Sequence, residues 1–454
     1  MTSELLPEHT TEESPTGISV ASYAERRRRV LLEMANGGGG VALLFSAPEV
    51  DSSQSYRQDS DLFYVTGCEE SNVVCLLTTA HDEEHFVMFL EPRDADAERW
   101  TGTRIGIEGA KSMLGADGAY PIAELDNLLP GYLQTANVFC RFDRDDVLNE
   151  RLLRLVNAAR AAARGRAPSP TALQDIGCLL DDLRTIKSEE EQQILRTAGE
   201  ITAEAHCQAM KSTRPGQYEY EAQAVFEYTC RRRGASHQAY PSIVGSGPNA
   251  TTLHYEASSR RMVDGDLLLI DAGAEYKGYA MDLTRTFPVN GQFTPLQRKI
   301  YVVVLAALEA ATAQVRPGNT LETVHNAAVR ATTAGLVELG LLQGDVDELI
   351  ASEAYKRFFM HSTSHWVGLD VHDRGRYRVD GEWRPLEPGM VLSVEPGIYI
   401  AEPVTSAVGG DVYESIGVRI EDTVLVTPDG CEVLTASTPT DPDAVEALMA
   451  SAHD

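Results

Sequence analysis

The stretch from Asp266 to Phe287 constrains the fold more than any other part of this chain. An apolar run, Leu267-Leu268-Leu269-Ile270, leads into Asp271, and a second run from Tyr279 to Phe287 carries Asp282. Two strand-forming runs joined by a short polar connection predict a β-hairpin. A turn centred on Tyr276-Lys277 sets Asp271 opposite Asp282, with their Cβ atoms about 5 Å apart. Like charges held that close repel unless a cation lies between them. One or two hard divalent metal ions meet that need; the plainer alternative is a pair of acids facing solvent beside a turn.

The 454 residues allow two or three domains with a full core, and 43% hydrophobic content is that of a globular protein. A formal charge of −29 repels phosphate backbones and anionic lipid, so neither nucleic acid nor a membrane surface is an expected partner. The polar, acidic first twenty residues lack the apolar core of a signal peptide, and no run is long enough for a membrane helix. Seven scattered cysteines without a CxxC pair fit a reduced, cytoplasmic protein. The basic cluster Arg26 to Arg29 reads as the wet face of an early helix.

Residues 1–15 are expected to be a disordered tail. Residues 16–165 read as an α/β domain, with strands at Val41–Phe45, Leu62–Val65, Val73–Leu77, His85–Leu90 and Asn137–Phe142. Helical patterns lie among them near 20–35, 93–100, 107–115 and 146–163. A linker, Arg164 to Pro170, leads to a second domain at 172–440. There the capping signatures Ser188-Glu189-Glu190-Glu191 and Thr294-Pro295-Leu296-Gln297 open helices reaching about 211 and 315. Further helices are expected at about 217–233 and 320–339. Helices then acidic strands occur twice over, an echo of two halves.

Four acids of this second domain, Asp271, Asp282, Glu395 and Glu421, lie in or at the ends of apolar strands, where charge is rare unless paired or bound to metal. The segment from His361 to Asp373 adds His361, His365 and His372; the last two reach one site only if the chain bends, for which Gly368 offers freedom. Four carboxylates balance two divalent cations, and a hydroxide bridging the ions is nucleophilic at neutral pH. Oxygen-rich ligation with one imidazole favours Mn2+, with Zn2+ or Co2+ as alternatives. Arg419, two residues before Glu421, lies on the same strand face and is expected to keep that carboxylate ionised.

The chain resembles the pita-bread metallopeptidases, and within them the aminopeptidase P branch. The resemblance rests on Ile243-Val244-Gly245-Ser246-Gly247, Leu253-His254-Tyr255, Leu269 to Gly273, and Asp282 to Phe287. It continues through Ser364 to Asp373, Val394-Glu395-Pro396-Gly397 and Val418 to Asp422, and in the first domain through Asp59 to Gly67 and Arg93-Asp94 with Glu98-Arg99-Trp100. It implies an α/β creatinase-like N-terminal domain and an α+β pita-bread catalytic domain with pseudo-twofold halves. By position, Asp282 and Glu421 would bridge two metal ions, Asp271 would complete one shell, and His365 and Glu395 the other. His254, His361 and His372 would surround the substrate, with Glu395 as proton shuttle. Tyr240 is a candidate substrate wall with Trp366 and Tyr399; Arg419, Asp61 and Trp100 are further substrate-side candidates, the last two at a neighbouring subunit's pocket. One departure is Ser362-Thr363, where the family often has Gly-Leu.

The implied reaction is hydrolysis of the bond between an N-terminal residue and a following proline by a homo-oligomer, a dimer or tetramer. A prolidase acting on Xaa-Pro dipeptides is the nearest alternative, with Arg374, Arg376 or Arg378 available for the dipeptide carboxylate. A catalytically inactive pita-bread binding module is the other.

Overall fold

A computed structural model describes residues 16–49, 55–142 and 146–451; the expected tail at 1–15 lies outside the described residues. The chain divides into two compact units, Met1–Leu183 and Arg184–Asp454.

The first unit is built on a six-stranded sheet, β1 (Val41–Phe45), β2 (Val74–Thr78), β3 (Phe86–Leu90), β4 (Gly118–Pro121), β5 (Asn137–Cys140) and β6 (Ala172–Asp175), in the order β4-β3-β2-β1-β5-β6. The pairs β1–β2 and β2–β3 are antiparallel and the rest parallel. Alternate residues Val41, Leu43 and Phe45 join Leu76 and Phe89 on one face, where Leu125, Leu129, Leu152 and Val156 from two helices cover them. Ala42 and Leu44, which point to the opposite face, are buried as well, the continuous burial of a strand covered on both sides.

Three expectations for this region need correction. Leu62 to Val65 is not a strand but part of a helix, Ser60–Thr66. Asp59 caps it, accepting from the Leu62 N–H, and Gly67 ends it in the left-handed region at φ 68°; an apolar run of four does not distinguish strand from buried helix, but its flanking caps do. Arg26 and Arg27 turn inward rather than to solvent. They donate to Tyr64 O at 3.0 Å and Val65 O at 2.9 Å, carbonyls that end that short helix, and their guanidinium groups lie over Tyr64 and Phe86. Finally, the chain does not leave the first unit at the 164–170 linker: β6, beyond it, pairs in parallel with β5, and the boundary falls at Leu183.

In the second unit, two long helices precede each half of the strand system. Glu189–Ser212 and Glu219–Arg232 precede the first; Pro295–Thr312 and Leu321–Glu338 precede the second. The expected capping boxes of Ser188 with Glu191 and of Thr294 with Gln297 are both formed. A last helix, Pro442–Ala450, carries the unit past the expected end at 440. Strands β7 (His237–Gln238), β8 (Ile243–Ser246), β9 (Leu267–Asp271), β10 (Ala274–Tyr276), β11 (Tyr279–Ala280) and β12 (Thr284–Pro288) form two small antiparallel sheets, β11-β10-β7 and β12-β9-β8.

The acidic hairpin exists, but its register is two residues away from the expected one. Tyr276 pairs with Tyr279, so Lys277-Gly278 forms the turn, with φ of 50° and 82°. Positive φ at both central residues is what a two-residue hairpin matching strand twist demands, and glycine at the second takes it without strain. Asp271 consequently faces Thr284, and Asp282 is the diagonal neighbour.

Both strands of each half are interrupted at the same level. In the first half β9 breaks from β10 at 272–273, and β11 from β12 at 281–283. In the second, Val391–Val394 breaks from Gly397–Ile400 at 395–396, while Ile416–Arg419, which pairs with the latter, breaks from Asp422–Thr427 at 420–421. Asp271, Asp282, Glu395 and Glu421 stand at these four breaks.

Candidate metal centre

A strand break frees a side chain from the alternation that would otherwise send it to the core or to water. Here it lets four carboxylates from two half-structures converge. Ligand atoms of Asp282, His365 and Glu421 all lie within 4.8 Å of one another. His365 Nε2 is 3.2 Å from Asp282 Oδ2 and 3.5 Å from Glu395 Oε1. The Tyr240 hydroxyl lies 2.6 Å from Asp271 Oδ1 and 2.5 Å from Asp282 Oδ1, tying the first pair together. All five predicted ligands line one cavity of about 960 Å3.

The halves are fastened to each other at this level. The Glu421 N–H donates to Thr284 O at 3.0 Å, the Asp282 N–H to Thr423 Oγ1 at 3.2 Å, and Thr423 Oγ1 back to Asp282 O at 2.7 Å. Thr284 Oγ1 donates to Glu421 Oε2 at 2.6 Å. Arg419 does not take the expected partner: its guanidinium donates to Asp271, to Thr284 Oγ1 and to Tyr399 Oη. Thr284 Oγ1 stands between the two, accepting from Arg419 Nε at 3.1 Å and donating to Glu421.

Burial and crowding leave the acid cluster short of positive charge. Burial pushes the Glu421 carboxyl well above its usual range, and Asp282, Glu395 and Asp271 add to the rise. Burial also raises Asp271 despite Arg419, and brings Glu395 to about 7. Asp282 runs the other way: burial pushes it up, but the hydrogen bond and charge of His365 outweigh that and hold it low. Burial lowers His365, yet Asp282 and Glu395 carry it to about 9. Carboxylates with this shortage of countercharge, flanked by an imidazole whose Nδ1 is fixed 3.0 Å from Trp366 O, are a donor set that divalent metal ions take.

The flanking residues divide. His254, His361 and His372 line the cavity, as do Tyr240 and Arg419. His372 stands edge-on to His365 with ring centres 4.3 Å apart, so the segment between them does fold back. Gly368 serves that fold through close packing rather than through an unusual φ: a Cβ there would meet Asp373 Oδ2 at 2.1 Å. His361 has both nitrogens occupied, Nδ1 donating to Ser362 O at 2.8 Å and Nε2 accepting from Tyr399 Oη at 2.9 Å; burial lowers it to about 4. Of the expected walls, Trp366 and Tyr399 are buried and do not line the cavity; Tyr240 does, together with Tyr377, Trp383 and Leu253. Asp61 and Trp100 belong to the first unit, and neither lines this cavity. Asp61 is buried beside Arg141 Nη2 at 2.8 Å, whereas Trp100 is 90% exposed.

Sequence reasoning missed Thr284, Thr423, Tyr377, Trp383 and His325. Thr284 carried a signal: it opens a strand two residues after Asp282. His325 lines the cavity and bonds Thr363 Oγ1 at 2.8 Å, giving the departure at Thr363 a local partner.

This fold, with paired carboxylates and an imidazole at the base of a cavity, defines a metallopeptidase. The model of metallopeptidase family M24 matches residues 193–428, and that of the aminopeptidase P N-terminal domain matches residues 23–139. The Xaa-Pro aminopeptidase of Escherichia coli is 45% identical over 439 residues, covering 94% of this chain and 98% of its own. The structure of Pseudomonas aeruginosa aminopeptidase PepP superposes with a TM-score of 0.91 at 45% identity, over 96% of this chain and 99% of that one. A variant of Escherichia coli aminopeptidase P in complex with substrate does so at 0.89 and 43%, with the same coverage. The chain belongs to metallopeptidase family M24 and has the two-domain build of aminopeptidase P, with a pita-bread catalytic domain.

Proposed function

We propose that this enzyme removes the N-terminal residue from peptides with proline in second position. The observation that carries the reading is the convergence of Asp271, Asp282, His365, Glu395 and Glu421 at a cavity roomy enough for more than a dipeptide. Asp282 and Glu421 would be shared by two divalent ions, Asp271 would serve one, and His365 with Glu395 the other. Such ions, once bound, polarise the scissile carbonyl and supply hydroxide at neutral pH.

Glu395, which lines the cavity, would take a proton from the attacking water and return it to the departing proline nitrogen. His254 and His372 line the cavity where they can donate to the carbonyl oxygen as it becomes negative. Arg419 and Tyr399 hold Asp271 and His361 in place. The scissile amide has no N–H, so recognition falls to walls such as Tyr377 and Trp383 rather than to strand pairing.

The dipeptidase alternative needs a basic group for the substrate carboxylate. Arg374, Arg376 and Arg378 are exposed and do not line the cavity, while Arg419 is occupied with Asp271. That supports an aminopeptidase. The proposal includes Mn2+ as the working ion, from the oxygen-rich donor set. It also includes a homo-oligomer, for which the exposed Trp100 offers a contact, and a cytoplasmic location, consistent with seven free cysteines. Among the described residues no helix is long and apolar enough to cross a membrane.

The test is hydrolysis of an Xaa-Pro dipeptide and an Xaa-Pro-Yaa tripeptide side by side in Mn2+, with Asp282→Asn as the blank. Cleavage of the tripeptide by the parent alone supports the reading; cleavage of the dipeptide only would overturn it.

A further inference from the structure

Beside the metal centre lies a second group of buried charges that the reaction itself does not use. Arg184, Lys187 and Asp373 are all nearly inaccessible, with side chains at most 2% exposed. Lys187 Nζ is 3.1 Å from Asp373 Oδ2, and Arg184 Nη2 reaches both Asp373 Oδ1 and, at 2.8 Å, Asp370 Oδ2. Arg184 and Lys187 sit where the chain enters the second unit, on either side of Thr185-Ile186. Asp370 and Asp373 belong to the segment that carries His372.

Buried ion pairs of this kind seldom add net stability, because desolvating the charges offsets their attraction. Their presence asks for another account, and the hydrogen bonds around Asp373 provide one. The Asp373 N–H donates to Trp366 O at 2.9 Å. That same carbonyl accepts from His365 Nδ1 at 3.0 Å. One oxygen therefore fixes both the position of Asp373 and the ring orientation that sends His365 Nε2 toward Asp282 and Glu395. Asp373 also directly follows His372, whose ring stands edge-on against His365. Between the two histidines, Gly368 O accepts from the Ala280 N–H at 2.7 Å, so the segment is tied to the strand that leads into Asp282. Gly368 has no room for a Cβ because Asp373 Oδ2 and Lys187 Cε fill that space.

We propose that Arg184, Lys187 and Asp373 form a buried ionic clamp that positions His365 and His372, with Asp373 acting as a positioning residue. The role in turnover rests on the peptidase reading above; the orientation of His365 does not. The two cations hold the Asp373 side chain from below, its backbone N–H holds Trp366 O, and that carbonyl sets the tautomer and tilt of His365. Groups that orient a ligand in this way typically change metal affinity or activity by about 10- to 100-fold when removed.

The test uses the full chain with Asp373→Asn, Lys187→Met, Lys187→Arg and the double variant Lys187→Met/Asp373→Asn. Mn2+ affinity of the metal-depleted protein is measured by calorimetric titration, alongside Tm and the kcat and KM for an Xaa-Pro-Yaa peptide. Asp373→Asn is expected to weaken Mn2+ binding about 10-fold and to lower kcat about 10- to 100-fold, with KM within about threefold of the parent. The double variant removes one charge of each sign, so its Tm returns toward the parent while Mn2+ affinity and kcat stay low. Lys187→Arg keeps the charge and stays near the parent in all four readouts. If the double variant recovers Mn2+ affinity and kcat together with Tm, the cluster serves folding alone and the proposal fails. Should Asp373→Asn not fold, Lys187→Met and the double variant decide: unchanged Mn2+ affinity in both overturns the clamp. A parent that cleaves no Xaa-Pro peptide would sink the functional reading, and the Mn2+ affinities would still decide this one.

Discussion

Removing the metal should make the enzyme less stable as pH rises, and Glu395 should account for a measurable part of that loss. Burial carries its carboxyl from 4.5 to about 7 in the folded protein. A folded-state pKa above the unfolded one means that folding takes up a proton. The associated stability is fully present below about 4.5 and is gone once pH has risen through about 7. Each pKa unit corresponds to about 1.4 kcal/mol, so the protonated carboxyl contributes about 3 kcal/mol at the acid end of that window. Glu395→Gln cannot titrate. The assay is urea unfolding of metal-depleted parent and Glu395→Gln at matched pH values between 4.5 and 7.5. The variant should gain on the parent by about 3 kcal/mol across the range, because only the parent loses its proton-linked stability. Mn2+ should reverse the parent's trend, since ion binding displaces protons and strengthens with pH. A parent-minus-variant difference that stays flat, or moves the other way, would refute the reasoning.

Asp282→Asn should lower kcat/KM by more than about a hundredfold, beyond the usual cost of losing a supporting group, with Mn2+ binding weakened in calorimetry. Arg419→Met removes the cation beside buried Asp271 and should cost the metal-depleted protein about 3–5 kcal/mol in urea unfolding, partly restored by Mn2+. In the first unit, Arg141→Met strands buried Asp61 and should cost a similar 3–5 kcal/mol, which places Asp61 in the fold rather than in substrate contact. Trp100→Ala alters a fully solvated side chain, so chain stability should move by no more than about 0.5 kcal/mol; sedimentation then reports whether Trp100 joins subunits.

What could be read from the sequence was what local chemistry dictates. Helices in the second unit opened at Ser188 and Thr294 because each capping box is complete within four residues. The four acids among the candidate ligands stood out because acids in apolar strands are costly without a cation, and His365 because its segment resembles the family's. Other features failed for equally local reasons. The turn lies one residue later than expected because its second central position needs a positive φ, which Gly278 takes without strain. Arg26 and Arg27 looked solvated because the carbonyls they cap belong to a helix hidden inside an apolar run. The partners of the site were beyond reach: Thr284 meets Glu421 across 137 residues, and Arg419 meets Asp271 across 148. No pattern within a strand encodes which distant strand lies beside it.

The placement of the acids explains why the site needs both halves. Within an unbroken antiparallel pair, side chains on one face stand in a row along the sheet, about 7 Å from one to the next but one. Four carboxylates in such rows would each meet solvent or core separately. Interrupting both strands of a pair at one level brings two acids of that pair together, as Tyr240 does for Asp271 and Asp282. Neither half alone assembles all four carboxylates. The bonds from Glu421 to Thr284 and between Asp282 and Thr423 are made only when the halves dock. Burial of this much negative charge is therefore postponed to the step that also completes the site for a cation, so metal binding and closure of the two halves should strengthen each other. The coupling is measurable as Mn2+ protection of the Asp282 and Glu421 amides from hydrogen exchange, greater than at the first unit's sheet; equal protection in both places would count against it.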